Sequence, residues 1–304
     1  MRFMAVFLII AALSQAQDLS QRVIALLGRG VRPQVESLLR AKRFADVEAL
    51  VSAVPALTPL QQSEQFAVRG GLDFVSGNMK SAVKCFQQAS ALHPLSEPDQ
   101  FTLAMAFVRL GSEEEARSTL TTLAQSDPGA ALYPYWLGRI DYAQRRYESA
   151  VALLTKATVL DAKSARAWDS LGLAYDMQGK ADQARQAFAQ GASVNRQQAN
   201  PSPWPPHDLG ALLLRIGHTK EAETAFKEAL QYDPQMEQAH YHLGRALDKD
   251  GVNDGAVKEY KIAMQEDPSA TDVCYSLAIL YRKMQRTVDA DAAFAEWRHR
   301  SANH

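Results

Sequence analysis

Residues 168–188 read WDSLGLAYDMQGKADQARQAF, and the spacing inside this stretch recurs along the chain. Its small residue Gly172 has counterparts at Gly70, Ala104, Gly138, Gly210, Gly244 and Ala278. The interval is 34 residues each time, except the 38 that separate Gly172 from Gly210. Twelve residues after each comes an alanine: Ala82, Ala116, Ala150, Ala184, Ala222, Ala256 and Ala290. Four further on stand Phe86, Leu120, Leu154, Phe188, Phe226, Tyr260 and Phe294. Internal repetition of this kind decides the architecture before any single segment is assigned.

The spacing predicts a helix–turn–helix unit. A small residue on the first helix faces a small residue on the second, so the two backbones can approach, and large residues four away pack on the same face. Gly77, Gly111, Gly179, Gly217 and Gly251 lie between the helices, where a left-handed residue ends a helix cheaply. Units close at His93-Pro94, Asp127-Pro128, Asp233-Pro234 and Asp267-Pro268, because proline cannot continue a helix. The chain is therefore expected to be all-α.

These units resemble tetratricopeptide repeats. The W-x2-LG-x2-Y…A-x3-F signature is met by Trp168, Leu171, Gly172, Tyr175, Ala184 and Phe188. The resemblance covers Ser63 to His304 as seven units: 63–96, 97–130, 131–164, 165–198, 203–236, 237–270 and 271–304. It implies a right-handed α-solenoid. Some positions depart from the pattern. Arg69 replaces a leucine, Asp73 and Asp141 replace aromatic or apolar residues, and Gly191 and Trp297 replace a second-helix alanine. Residues 17–62 are expected to form a helical N-terminal cap or a divergent repeat.

With 33 Lys plus Arg against 34 Asp plus Glu, the charge balance argues against a basic nucleic-acid binder. The N-terminus, MRFMAVFLIIAALSQAQ, has the order of an export signal: one Arg, an apolar run from Phe3 to Leu13, then Ser14 and Ala16. Cleavage after Ala16 is expected, giving an exported protein, periplasmic or secreted. The apolar run is shorter than the roughly 20 residues a bilayer span needs, so no stable membrane span is expected after cleavage. Cys85 and Cys274 fall in distant units and read as separate buried thiols.

The long interval places an insertion at residues 199–202, inside ANPSPWPPHDLG (199–210). Its prolines predict a stiff, extended connector, with the next helix starting no earlier than about Pro206. Trp204 is a candidate to reach over the binding groove, against the alternative of a neutral surface insertion.

In tetratricopeptide proteins the first helix of each unit lines the concave surface, which is what the resemblance implies here. Positions three before, one after and five after the small residue share one helical face. They supply the candidate groove residues Phe101, Met105, Arg109, Tyr135, Arg139, His207, Arg215, Tyr241, Arg245, Lys249, Tyr275 and Lys283. Aromatics interleaved with basic residues suit an acidic peptide ligand, although the same tyrosines could simply pack between repeats. No unit presents the Lys and Asn pair with which some relatives clamp a C-terminal carboxylate. Trp297 at the last helix suggests an edge that docks a partner or a second copy.

Catalytic signals do not hold up. Ser81-x-x-Lys84 lies inside a second helix beside the packing Ala82. Asp248, Asp250 and Glu259 mimic part of a calcium loop, but Val252 and Asn253 break it. His240 and His242 point to different sides of a helix. The expected function is a non-catalytic scaffold of a bacterial cell envelope that binds peptide segments, with no cofactor. A self-assembling structural oligomer and an accessory subunit presenting clients to an enzyme are the alternatives.

Overall fold

The computed structural model describes residues 19–55, 58–267 and 269–302. The export segment expected over residues 1–16 lies outside them. Among the described residues there is no β-strand. The helices are 19–27 (α1), α2 (Arg32–Arg40), α3 (Phe44–Ser52), α4 (Pro59–Ser76), α5 (Met79–Leu92), α6 (Glu97–Leu110), α7 (Glu113–Ser126), α8 (Leu132–Ala143) and α9 (Tyr147–Leu160). They continue as α10 (Ala165–Met177), α11 (Ala181–Asn195), α12 (Trp204–Arg215), α13 (Thr219–Tyr232), α14 (Glu237–Lys249), α15 (Asn253–Glu266), α16 (Thr271–Lys283) and α17 (Thr287–Ala302). The chain divides into two compact units, one up to Tyr133 and one from Pro134.

In the first unit α4 packs on α5 and α6 on α7. A further core joins Leu19 and Val23 of α1, Val35 of α2, Val47 and Val51 of α3, and Val68 and Leu72 of α4. Arg22 of α1 donates to Glu64 at 2.8 Å and makes a two-pronged contact with Asp99, at 2.8 and 3.0 Å. α1 thus lies across α4 and α6. A Cβ on Gly71 would lie 3.0 Å from Leu19 Cδ1, so the glycine lets α1 approach α4 closely.

In the second unit α10, α12, α14 and α16 each pack on the helix that follows. The seven repeat alanines, Ala82 to Ala290, are all fully buried. The structure refines what the small residue does. It accommodates the large residue sixteen positions on, more than the alanine. A Cβ on Gly172 would lie 2.5 Å from Phe188 Cδ1, and one on Gly210 would lie 2.8 Å from Phe226 Cε1. Each such ring is buried, which contributes roughly 1.5–3 kcal/mol per side chain.

Two of the seven turns inside the repeats lack glycine. Arg145 and Gln285 hold φ of 60° and 62°, a left-handed conformation unfavourable for residues with a Cβ. At the first of these, the departure from the repeat pattern has a use. Asp141 is fully buried, accepts from Arg146 Nη2 at 2.6 Å, and is also bonded by the Ser149 hydroxyl. Its charge pins a turn that glycine does not ease.

The proline stretch differs from expectation in three ways. It is bent, not extended: Asn195 is buried and exchanges two 2.8 Å hydrogen bonds with the backbone of Ser202. α12 begins at Trp204, with Pro205 and Pro206 in its first turn. The first N–H groups of a helix need no intrahelical acceptor, so prolines there cost nothing. Trp204 also does not reach over the groove face. It packs on Ala229, Met236 and Ala239, and its ring meets His207 edge-on at 5.5 Å.

Candidate functional site

The groove rows predicted from sequence separate by depth. Three before the small residue stand Phe101, Tyr135 and His207, all buried, with Tyr241 half-buried and Tyr275 exposed. This row is a seam between neighbouring units. Phe101 packs on Tyr133 at 6.2 Å, His207 on His242 at 5.1 Å, and Tyr241 shares a hydrogen bond with Ser276 at 3.3 Å. Met105, one after the small residue, is buried too. Phe101, Met105, Tyr135 and His207 therefore support the face and do not line it. Tyr275 is partly covered by Trp297, 5.4 Å away, so the indole of the last helix is engaged within the chain.

The basic row five after the small residue follows one rule. Each member reaches the residue four after the small residue of the preceding repeat. Arg109 lies over the Phe74 ring at 5.9 Å, and Arg215 pairs with Asp176. Lys249 donates to the Leu214 carbonyl at 3.1 Å, and Lys283 to the Asp248 carboxylate at 2.6 Å. These cations tie one repeat to the next, which reduces the positive excess the sequence suggests. The row one after behaves differently. Arg139 stacks on Tyr135 and Trp136, whereas Arg245 lies over Tyr241 at 5.7 Å with its charge exposed.

Arg109, Phe101 and Met105 belong to the first unit, where α1 already lies on the face. The other candidates belong to the second. There α10, α12 and α14 enclose a cleft of about 400 Å³, walled by Leu173, Asp176, Phe188, Asp208, His242, Arg245 and Lys249 among others. A neighbouring depression of about 260 Å³ shares Arg245 and Lys249 and continues to Tyr275 and Ile279 on α16. Exposed Tyr275 and Ile279 give this trough apolar contact area.

Three residues in or beside the cleft are not among the site groups expected from sequence. Asp208 faces it with Oδ2 unpartnered, and its Oδ1 meets His207 Nδ1 at 2.7 Å. Burial, and then the charge of Asp176, push the Asp208 carboxyl up to about 7. Asp169, buried beside it, is also raised, by burial first and then by Asp208, against the pull of Arg139. His242 is the third, and its Nδ1 lies 3.1 Å from His207 Nε2. Burial lowers His207 to about 4; burial, His207 and Arg245 lower His242 to about 3. No sequence motif signals this cluster, because its members come from three repeats and sit off the repeat consensus.

The calcium-like residues are engaged elsewhere: Asp248 by Lys283, Asp250 by Lys220 at 3.0 Å, and Glu259 by His240 at 2.7 Å. Cys85 and Cys274 are both buried free thiols.

A family model described as the Cilia and flagella-associated protein 70 C-terminal domain, a tetratricopeptide-repeat family, matches residues 9–278. The chain belongs to this family. Among curated proteins, this tetratricopeptide chain is 23% identical to Tetratricopeptide repeat protein 7A of Homo sapiens, over 76% of its own length and 28% of that protein. It is 24% identical to BBSome complex member bbs-4 of Caenorhabditis elegans, over 72% of its length and 48% of the relative. The chain thus spans less than half of either. Among solved structures, YrrB, described as a TPR protein with an unusual peptide-binding site, superposes with a TM-score of 0.52 at 18% identity. That match covers 61% of this chain and 93% of YrrB, and it supports the solenoid fold alone.

Proposed function

We propose that this tetratricopeptide chain is a protein-interaction scaffold that holds a peptide segment in the trough of its second unit, along α10, α12, α14 and α16. One observation carries the reading: two depressions meet at an exposed arginine, Arg245, which has no carboxylate partner among the described residues. An exposed guanidinium flanked by aromatic and aliphatic side chains is the composition of a binding hot spot. The described peptide-binding site of YrrB is consistent with this use of the fold. The first unit is the weaker candidate, because α1 already lies across α4 and α6.

The test is selection from a random peptide display library on the full chain, followed by affinity measurement on Arg245→Glu. Selected peptides are expected to lose at least tenfold in affinity for the variant, since charge reversal at a central contact typically costs more than about 1.4 kcal/mol. Selected peptides that bind both proteins equally would move the site off this trough.

Export to a bacterial cell envelope stays part of this proposal and rests on residues 1–16. N-terminal sequencing of the mature chain distinguishes the cases: Gln17 as first residue supports export, and retention of Met1 ends it.

A further inference from the structure

Beneath the cleft of the second unit runs a hydrogen-bonded chain that the scaffold reading leaves unused. His242 Nδ1 is 3.1 Å from His207 Nε2, and His207 Nδ1 is 2.7 Å from Asp208 Oδ1. Both imidazoles are held neutral by burial. Two neutral rings satisfy these contacts in one of two directions. Either His242 donates to His207, which donates to Asp208, or Asp208 donates to His207, which donates to His242. Asp208 and His242, at the two ends of the chain, both line the cleft, and Asp208 Oδ2 is buried and without a hydrogen-bond partner.

The charged groups around that oxygen come from every helix packed against it. Asp169 and Asp176 stand on α10, Arg139 and Tyr142 on α8, His207 and Arg215 on α12, and His242, Arg245 and Lys249 on α14. Arg215 is paired with Asp176, and Lys249 gives one of its three protons to the Leu214 carbonyl. Arg245 and the remaining Lys249 protons are open to the cleft. The wall is therefore cationic, and the floor is a carboxyl group with poor access to water. An incoming cation would meet Arg245 and Lys249. An incoming anion would meet them favourably, provided Asp208 is neutral.

We propose that this cleft captures a carboxylate side chain of a peptide ligand between Arg245, Lys249 and the protonated Asp208, and takes up one proton as it binds. The proposal rests on the peptide-binding reading above and adds the chemistry of the ligand. The proton comes from solvent, resides on Asp208 Oδ2, and is donated as a hydrogen bond to the ligand oxygen. The ligand remains a carboxylate and no other bond changes. The sign follows from linkage. The bound state holds a proton that the free protein releases as pH rises through the Asp208 value of about 7. Affinity is then full below that pH and falls about tenfold for each pH unit above it.

The experiment is calorimetric titration of the full chain with acetyl-(Glu)4-amide and acetyl-(Gln)4-amide between pH 5.5 and 8.5, in two buffers of different ionisation enthalpy. Wild type is expected to bind the glutamate peptide, to weaken roughly tenfold per unit above pH 7, and to take up close to one proton there. Asp208→Asn keeps a neutral donor, so it is expected to hold the low-pH affinity across the range. Arg245→Gln, a change at an exposed side chain, is expected to weaken binding tenfold or more at every pH. The proposal is overturned by glutamate affinity that does not change with pH, by an equal pH effect in Asp208→Asn, by equal binding of the glutamine peptide, or by no binding of either peptide. In each of these cases, display-selected peptides that still need Arg245 would leave the scaffold reading standing. Loss of both would end both.

Discussion

Gly172 shows how much one methyl group decides at the scale of a residue. The Phe188 ring occupies the place a side chain would take, and that ring is itself buried against the next repeat. Gly172→Ala gains about 1 kcal/mol in helix propensity but forces the ring or the helix to shift, which costs about 1–3 kcal/mol. A net loss of stability is expected, read as a lower urea midpoint with unchanged slope; an unchanged or higher midpoint would mean that the interface yields. The small-residue register was legible because one geometric need recurs seven times. The roles of the basic residues were not. Arg215 and Lys283 look from sequence like ligand contacts, whereas each pairs with a carboxylate of the preceding repeat that only the stacking of units brings near.

Among the elements, α1 is the one whose position the sequence leaves open. Its apolar residues Leu19, Val23 and Ile24 promise an amphipathic helix, but not which surface it covers. Arg22 supplies the answer by joining Glu64 of α4 and Asp99 of α6, and Asp99 is buried. Arg22→Ala leaves that carboxylate without its cation, which destabilises the docking by about 1–3 kcal/mol. Amide exchange across residues 19–27 is expected to accelerate tenfold or more while exchange in α10–α15 stays as it was. Uniform acceleration along the chain would show that α1 is needed for the whole fold. The proline segment teaches the same lesson at its own helix. Its composition foretold an interruption, but the closing contact from Asn195 to Ser202 fixes its shape.

For the molecule as a whole, the buried titratable cluster shapes how stability responds to pH. His207 and His242 have lowered values, so what they contribute is present above their ordinary value near 6.5 and is lost as pH falls toward about 4 and about 3. Asp208 is raised from 3.8 to about 7 and Asp169 is raised as well, so their contribution is present below 3.8 and is lost as pH rises. Between about pH 4 and 6.5 the two pairs oppose each other. Asp208→Asn removes one of the opposing groups. Its melting temperature is expected to exceed that of wild type at pH 8 and to converge with it near pH 4. A gain that is equal at both pH values would mean that Asp208 does not carry the proton.

What the sequence determined alone was everything that repeats: the helix pairs, the close approach at Gly172 and its counterparts, and the buried alanines. Periodic constraints are local, so they leave a trace at each copy. What only the tertiary structure decided was everything that depends on contact between elements far apart in sequence. The site of α1, the tie of each cation to its neighbouring repeat, and the meeting of Asp208 with His207 and His242 all depend on which surfaces face each other after stacking. Side chains 35 residues apart, such as His207 and His242, acquire a common low-dielectric environment only when their helices pack, and burial then sets their charge states.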